Sequence, residues 1–107
     1  MKIRITGTGL YLPPKIQKSE ELAKIIGKPV QWLEKKSGVI ERRVSDIDVD
    51  KMGAIAGHKA LESGHCEVPD LIINASGVPK QTLPDTSIFM QKEMGFKGIT
   101  SFSIHST

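Results

Sequence analysis

Gly7-Thr8-Gly9 opens as a dinucleotide-binding loop does, where glycines let the backbone approach a pyrophosphate at a helix N-terminus. The sixth position is Leu12, however, and Pro13-Pro14 stands where that loop needs a helix, so the stretch reads as a simple turn. Asn74-Ala75-Ser76-Gly77-Val78 has the serine of a nucleophile elbow but not its first glycine, and Pro79 blocks an immediate helix. His58, His65 and Cys66 have the right atoms for a metal, but a helix end separates them and no fourth ligand is evident. They read as solvent-facing histidines and an inert thiol, and no metal site is expected. Glu34-Lys35-Lys36 and Glu41-Arg42-Arg43 read as solvated faces unless something else singles them out.

The elements that would position these residues alternate. Residues 2–6 alternate apolar and polar side chains as a half-buried strand does. Ser19 is placed to cap a short helix with Glu20 and Glu21 in its first turn and Gly27 at its exit. Pro29 suits the first position of a second helix over 29–36, carrying Trp32 and Leu33, with Gly38 ending it. Residues 39–44 read as a β segment interrupted by charges. Asp48 or Asp50 begins a helix over about 51–62, with Met52, Ile55, Ala56 and Ala60 on one side and Gly64 as the stop. Leu71-Ile72-Ile73-Asn74-Ala75 is the continuous apolar run of a strand buried on both faces. Asp85 or Thr86 starts a helix to about Met94, with Gly95 beyond it, and a last strand runs from Ile99 to His105 with Phe102 and Ile104 on one face. The order β-α-α-β-α-β-α-β predicts a layered α/β domain with a largely parallel sheet.

Composition agrees with a globular chain. Of 107 residues, 38% are hydrophobic and 25% charged, which argues against a disordered or low-complexity scaffold. No apolar run approaches the ~20 residues that span a bilayer, and the basic start lacks the apolar stretch of a signal peptide. A single cysteine excludes an internal disulfide, and a reducing cytoplasm is the expected compartment. A net charge of +3 is too small to imply a nucleic-acid partner.

Taken together, the segments resemble the N-terminal part of β-ketoacyl-ACP synthase III, a family of decarboxylating condensing enzymes in the thiolase superfamily. Residues 5–13, Ile-Thr-Gly-Thr-Gly-Leu-Tyr-Leu-Pro, resemble that family's opening I-x-G-x-G-x-Y-L-P. Ser19-Glu20-Glu21-Leu22-Ala23 resembles its TNEELA helix, and Trp32 to Arg43 resembles W-I-x-x-R-T-G-I-x-E-R-R. Leu83-Pro84-Asp85-Thr86 is similar to F-P-S-T, and Ser101-Phe102-Ser103-Ile104 to A-F-D-L.

The resemblance implies the N-terminal portion of a thiolase-like layered α/β/α/β/α fold, with residues 1–107 a partial domain. The implied reaction is Claisen condensation of an acyl-CoA with a malonyl thioester on acyl carrier protein, in fatty-acid biosynthesis, with no permanently bound cofactor. The alternatives are a related condensing enzyme of secondary metabolism or hydrocarbon synthesis, or a standalone acyl-CoA or protein-interaction module. The family's nucleophilic cysteine would follow Thr107, and its catalytic histidine and asparagine lie further downstream. The chain is therefore expected to hold no catalytic residue and to be inactive by itself, with Cys66 unable to substitute. Trp32 takes the place of a tryptophan that stacks on the CoA adenine, a plain core anchor being its alternative role, Lys36 that of a nucleotide-contacting arginine and Ser37 that of the following threonine. Leu83 stands where a phenylalanine is common, in a loop that reaches the dimer partner's acyl pocket. His105-Ser106-Thr107 departs from the small residues that usually precede the nucleophile, and His105 is expected to be a strand-end residue satisfied by its neighbours. The family also implies a cytoplasmic homodimer, or association of this segment with the rest of the enzyme, with no nucleic-acid or membrane partner.

Overall fold

The computed structural model describes residues 1–105, so the expectation for Ser106-Thr107 lies outside the described residues. The elements run β1 (Lys15–Lys18), α1 (Ser19–Ile26), α2 (Val30–Ser37), β2 (Glu41–Val44), α3 (Val49–Ser63), β3 (Leu71–Asn74), α4 (Thr86–Glu93) and β4 (Thr100–Ser103). They fall into two compact units, Leu12–Asp46 and Met1–Tyr11 with Ile47–Thr107.

In the first unit, β1 and β2 pair antiparallel, with Lys15 opposite Val44 and Lys18 opposite Glu41. β1 has no counterpart in the sequence reading. Its four residues include one apolar side chain, so its strand conformation comes from pairing with β2 rather than from its own pattern. Both helices end where expected, on Gly27 and Gly38 with φ of 67° and 68°, the left-handed conformation glycine adopts without a Cβ clash. Their starts differ from expectation. Ser19 is the first helical residue rather than the cap, because its hydroxyl donates to the Val39 carbonyl at 2.6 Å and its amide to Ile40. Pro29 sits at the N-cap, just ahead of the helix. Arg42 is not a solvated side chain. It is half-buried and donates to the Ser19 hydroxyl at 3.5 Å.

In the second unit, β3 and β4 pair parallel, Leu71 with Thr100 through Asn74 with Ser103, joined by the α4 crossover. Among the described residues, the expected largely parallel sheet is thus two two-stranded sheets, of which this one is parallel and the other antiparallel. Residues 2–6 form no strand. A strand exists only through a ladder, none is offered to them among the described residues, and Ile3 and Ile5 lie in the open. The residues after them instead press on α3: a Cβ on Gly9 would stand 2.1 Å from the Ala56 carbonyl oxygen. The other flank of α3 meets α4, with Gly53 and Gly57 facing Met90 and Met94. This shifts the packed face of α3 to Gly53, Ala54 and Gly57, leaving Ile55 exposed where the spacing had placed it inside. Ala54, Ile72 and Met94 form the core, with Leu61, Phe96 and Ile99 against it.

β3 is buried on one face only. Ile72 and Asn74 are covered, while Leu71 and Ile73 are 43% and 50% exposed. β4 turns Ser101 and Ser103 inward and Phe102 outward, so its apolar residues do share a face, but an exposed one. No described helix is long and apolar enough to cross a membrane.

Candidate functional site

α2 carries three of the four residues marked in the sequence. Leu33 is buried and anchors the helix, which turns Trp32 outward at 45% exposure. Trp32 and Lys36, four residues apart, share one helix face. The Lys28 ammonium lies over the Trp32 ring, 5.7 Å from its centroid, an attraction between a cation and the negative face of the indole. Lys28 also lines an open groove of about 540 Å³ with Glu20, Ala23, Lys24 and Pro29. Ser37 is engaged locally: its hydroxyl donates to the Leu33 carbonyl at 2.8 Å and accepts from the Val39 amide at 3.2 Å. It therefore closes the helix and sets up the exit at Gly38. This end of the unit offers a half-free aromatic surface flanked by lysines, which suits a planar, anionic ligand.

Leu83 belongs to the second unit, on the connection between β3 and α4, and is 80% exposed. The connection is braced behind it. The Lys80 ammonium donates to Asp50 at 2.7 Å and lies 3.4 Å from Asp48. It also stands over the Phe89 ring at 5.0 Å, and the Lys80 amide donates to the Thr86 hydroxyl at 3.0 Å. Asp50 is only 1% exposed. Burial pushes its carboxyl upward, but the hydrogen bond and charge of Lys80 outweigh that and hold it below the usual carboxylate range. The hydrogen bond from Lys80 to Asp50 in turn raises the lysine above its ordinary value. Gln81 donates to the Leu83 carbonyl. This brace is not legible in the sequence, because its partners are 30 residues apart.

A second polar cluster lies at the C-terminal ends of β3 and β4. Asn74 donates to the Ser103 hydroxyl at 2.9 Å, and Ser103 donates to Asp85 at 2.6 Å. Asp85 caps α4, accepting from the Ser87 amide at 2.8 Å and the Ser87 hydroxyl at 2.5 Å. The Ser103 bond first, then the two from Ser87, hold the Asp85 carboxyl at about 2. The His105 ring lies 3.0 Å from the Ser76 carbonyl, and Ser76 donates its amide to Asn74. His58, His65 and Cys66 are all exposed, and no group of three potential metal ligands forms among the described residues.

A parallel β3-α4-β4 crossover, a packed α3 and a polar cluster at the strand ends define the class: this is the N-terminal portion of a thiolase-like α/β fold. The sequence carries the likeness further. It is 32% identical to β-ketoacyl-[acyl-carrier-protein] synthase III of Clostridium acetobutylicum over 97% of this chain and 33% of that protein. The solved 3-oxoacyl-[acyl-carrier-protein] synthase III of Aquifex aeolicus superposes with a TM-score of 0.85 at 31% identity, covering 95% of this chain and 34% of that one. The priming β-ketosynthase of a polyketide biosynthetic pathway shares the fold, with a TM-score of 0.84 at 24% identity over 96% of this chain and 32% of its own. No family model matches the chain. The chain spans about a third of the length of the curated relatives it matches, and it corresponds to their N-terminal part.

Proposed function

We propose that this chain is the CoA-facing N-terminal segment of a 3-oxoacyl-[acyl-carrier-protein] synthase III-like acyltransferase. The observation that carries the reading is the match along nearly the whole chain, in sequence and in fold, to synthases of that name. The reaction takes an acyl group from acyl-CoA onto a cysteine and condenses it with a malonyl thioester on acyl carrier protein, releasing carbon dioxide. Dividing one difficult carbon–carbon bond formation into two covalent steps is what lowers the barrier. The cysteine, histidine and asparagine of that chemistry lie outside this chain, which contributes binding surface and no catalytic residue.

Within this reading Trp32 is the adenine platform, and its 45% exposure on an otherwise polar helix supports that role. Lys36 supplies charge near the nucleotide, without the planar fork of the arginine it replaces. Ser37 shapes the end of that helix through its bonds to Leu33 and Val39. Leu83 is the residue offered to the acyl pocket of a second subunit, which makes the working enzyme a homodimer, in the cytoplasm. Acyl-CoA is a substrate rather than a resident cofactor.

The test is an assay of the full gene product with acyl-CoA and malonyl-acyl carrier protein, following 3-oxoacyl product and free CoA. Turnover is expected, and Trp32→Ala should raise KM for acyl-CoA by roughly 10- to 100-fold, the scale of one base stacked on one aromatic ring. Absence of turnover with every acyl-CoA from two to twelve carbons, in a folded protein, would refute the reading.

A further inference from the structure

β4 is unusual in what it turns toward α4. A strand packed on a helix normally buries apolar side chains there, yet the inward residues are Ser101 and Ser103. Both are engaged by hydrogen bonds, Ser101 to Gln91 at 2.8 Å and Ser103 to Asp85 at 2.6 Å. Apolar contact is non-directional and lets a strand slide by fractions of an ångström, whereas hydrogen bonds fix atoms in distance and angle. The Ser103–Asp85 bond is also charge-assisted, the shorter and stronger kind. Asp85 is tied by the same oxygen to the first turn of α4, whose backbone amides and dipole favour a negative charge. Ser103 is tied on its other side by Asn74, 5% exposed at the end of β3. One carboxylate thus joins three element ends.

We infer that Asp85 is a positioning residue: its carboxylate fastens the C-terminal end of β4 to α4 and so fixes the backbone that leaves the strand after Ser103. That backbone is already tied once, by the Ile104 amide donating to the Asn74 carbonyl at 2.8 Å. The catalytic consequence rests on the condensing-enzyme reading, in which the nucleophile lies a few residues beyond Ser103; the mechanical one does not.

The test uses the full gene product with Asp85→Ser, Ser103→Asp and the reciprocal double variant, read by amide hydrogen exchange over residues 100–105 and by steady-state kinetics. Each single variant should speed exchange at the Ile104 amide roughly tenfold, since it leaves two hydroxyls or two carboxylates facing each other. The double variant should return to within about threefold of the parent. Turnover should follow the same pattern, with kcat falling in the singles, KM for acyl-CoA holding, and kcat recovering in the double. Asp85→Asn, which keeps the acceptor and loses the charge, should fall between parent and Asp85→Ser and guards against a variant that merely misfolds. A double variant no better than the worse single, or singles that exchange like the parent, overturns the inference. A coupled exchange pattern with unchanged kcat overturns its catalytic half. If the parent protein does not condense at all, that counts against the condensing reading, and the exchange cycle still decides on Asp85.

Discussion

Gly9→Ala is the sharpest test of how the start of the chain is held. A Cβ at Gly9 would stand 2.1 Å from the Ala56 carbonyl oxygen and 2.4 Å from the Ala60 amide nitrogen, against 3.4–4 Å for ordinary contact. The shortfall exceeds 1 Å, and the obstructing atoms are helix backbone. Those atoms cannot yield without breaking the hydrogen bonds of α3, so the segment must lift away instead. Lifting it also stretches the bond from the Lys59 ammonium to the Leu10 carbonyl, now 3.1 Å. Overpacking costs about 1–3 kcal/mol, and rigid obstruction puts this case at the upper end. At 4–8 °C per kcal/mol for a domain of about 100 residues, Tm should fall by roughly 12–24 °C. Gly57→Ala is the control. Its Cβ would meet only the end of the Met94 side chain, Cε at 2.8 Å and Sδ at 3.1 Å, which can rotate away. Replacing a mid-helix glycine by alanine gains about 1 kcal/mol of helix propensity, so this variant should melt within a few degrees of the parent. A thermal melt followed by far-ultraviolet circular dichroism reads both. A Gly9→Ala protein that melts within 2 °C of the parent, or equal losses at the two sites, would refute the close-packing argument.

Titration of Asp85 by carboxyl-carbon NMR should give a midpoint near 2, rising toward 3.8 in Ser103→Ala, because Ser103 supplies the strongest of its bonds. Since the folded value is depressed, the stabilisation from this carboxylate is complete above about 4 and should fade as pH falls toward 2, visible as a declining Tm in that window. Lys80→Met should destabilise more than the double variant Asp50→Asn/Lys80→Met, because the single change leaves a carboxylate that is 1% exposed without its cation. Leu33→Ala should cost about 2–4 kcal/mol by denaturant melt, since Leu33 is the buried residue of α2. Leu83→Phe should leave stability within about 0.5 kcal/mol, as expected for a residue 80% exposed, while shifting the acyl-chain preference measured with a series of acyl-CoAs.

What could be read from the sequence was what short stretches settle by themselves. The helix ends at Gly27 and Gly38 and the Asp85 cap were legible because a left-handed turn or a capping carboxylate is decided within three or four residues. β1 was not, because Lys15-Ile16-Gln17-Lys18 becomes a strand only through Glu41–Val44, more than twenty residues away. The packed face of α3 was also misplaced: hydrophobic spacing pointed to Ile55, whereas the close approach of two neighbours selected Gly53 and Gly57, which no apolar pattern marks. The Lys80–Asp50 brace depended on a contact of the same long range.

β4 shows why composition alone does not settle the role of a face. Spacing puts Phe102 and Ile104 on one face of the strand and the serines on the other, without saying which face meets α4. The serine face meets α4 because polar partners wait there: Gln91 for Ser101, and Asp85 with Asn74 for Ser103. The half-buried Asp85 carboxylate caps α4 through Ser87 and has room for one more donor, which the Ser103 hydroxyl supplies from β4. The apolar side chains are then forced to the opposite face, where Leu71, Ile73 and Phe102 are 43%, 50% and 41% exposed and lie side by side across the parallel pair. An outward apolar face on a two-stranded parallel sheet is what a layered α/β/α/β/α fold buries against its next layer. The polar cap and the apolar face are therefore two results of one choice, the placing of a carboxylate at the start of α4.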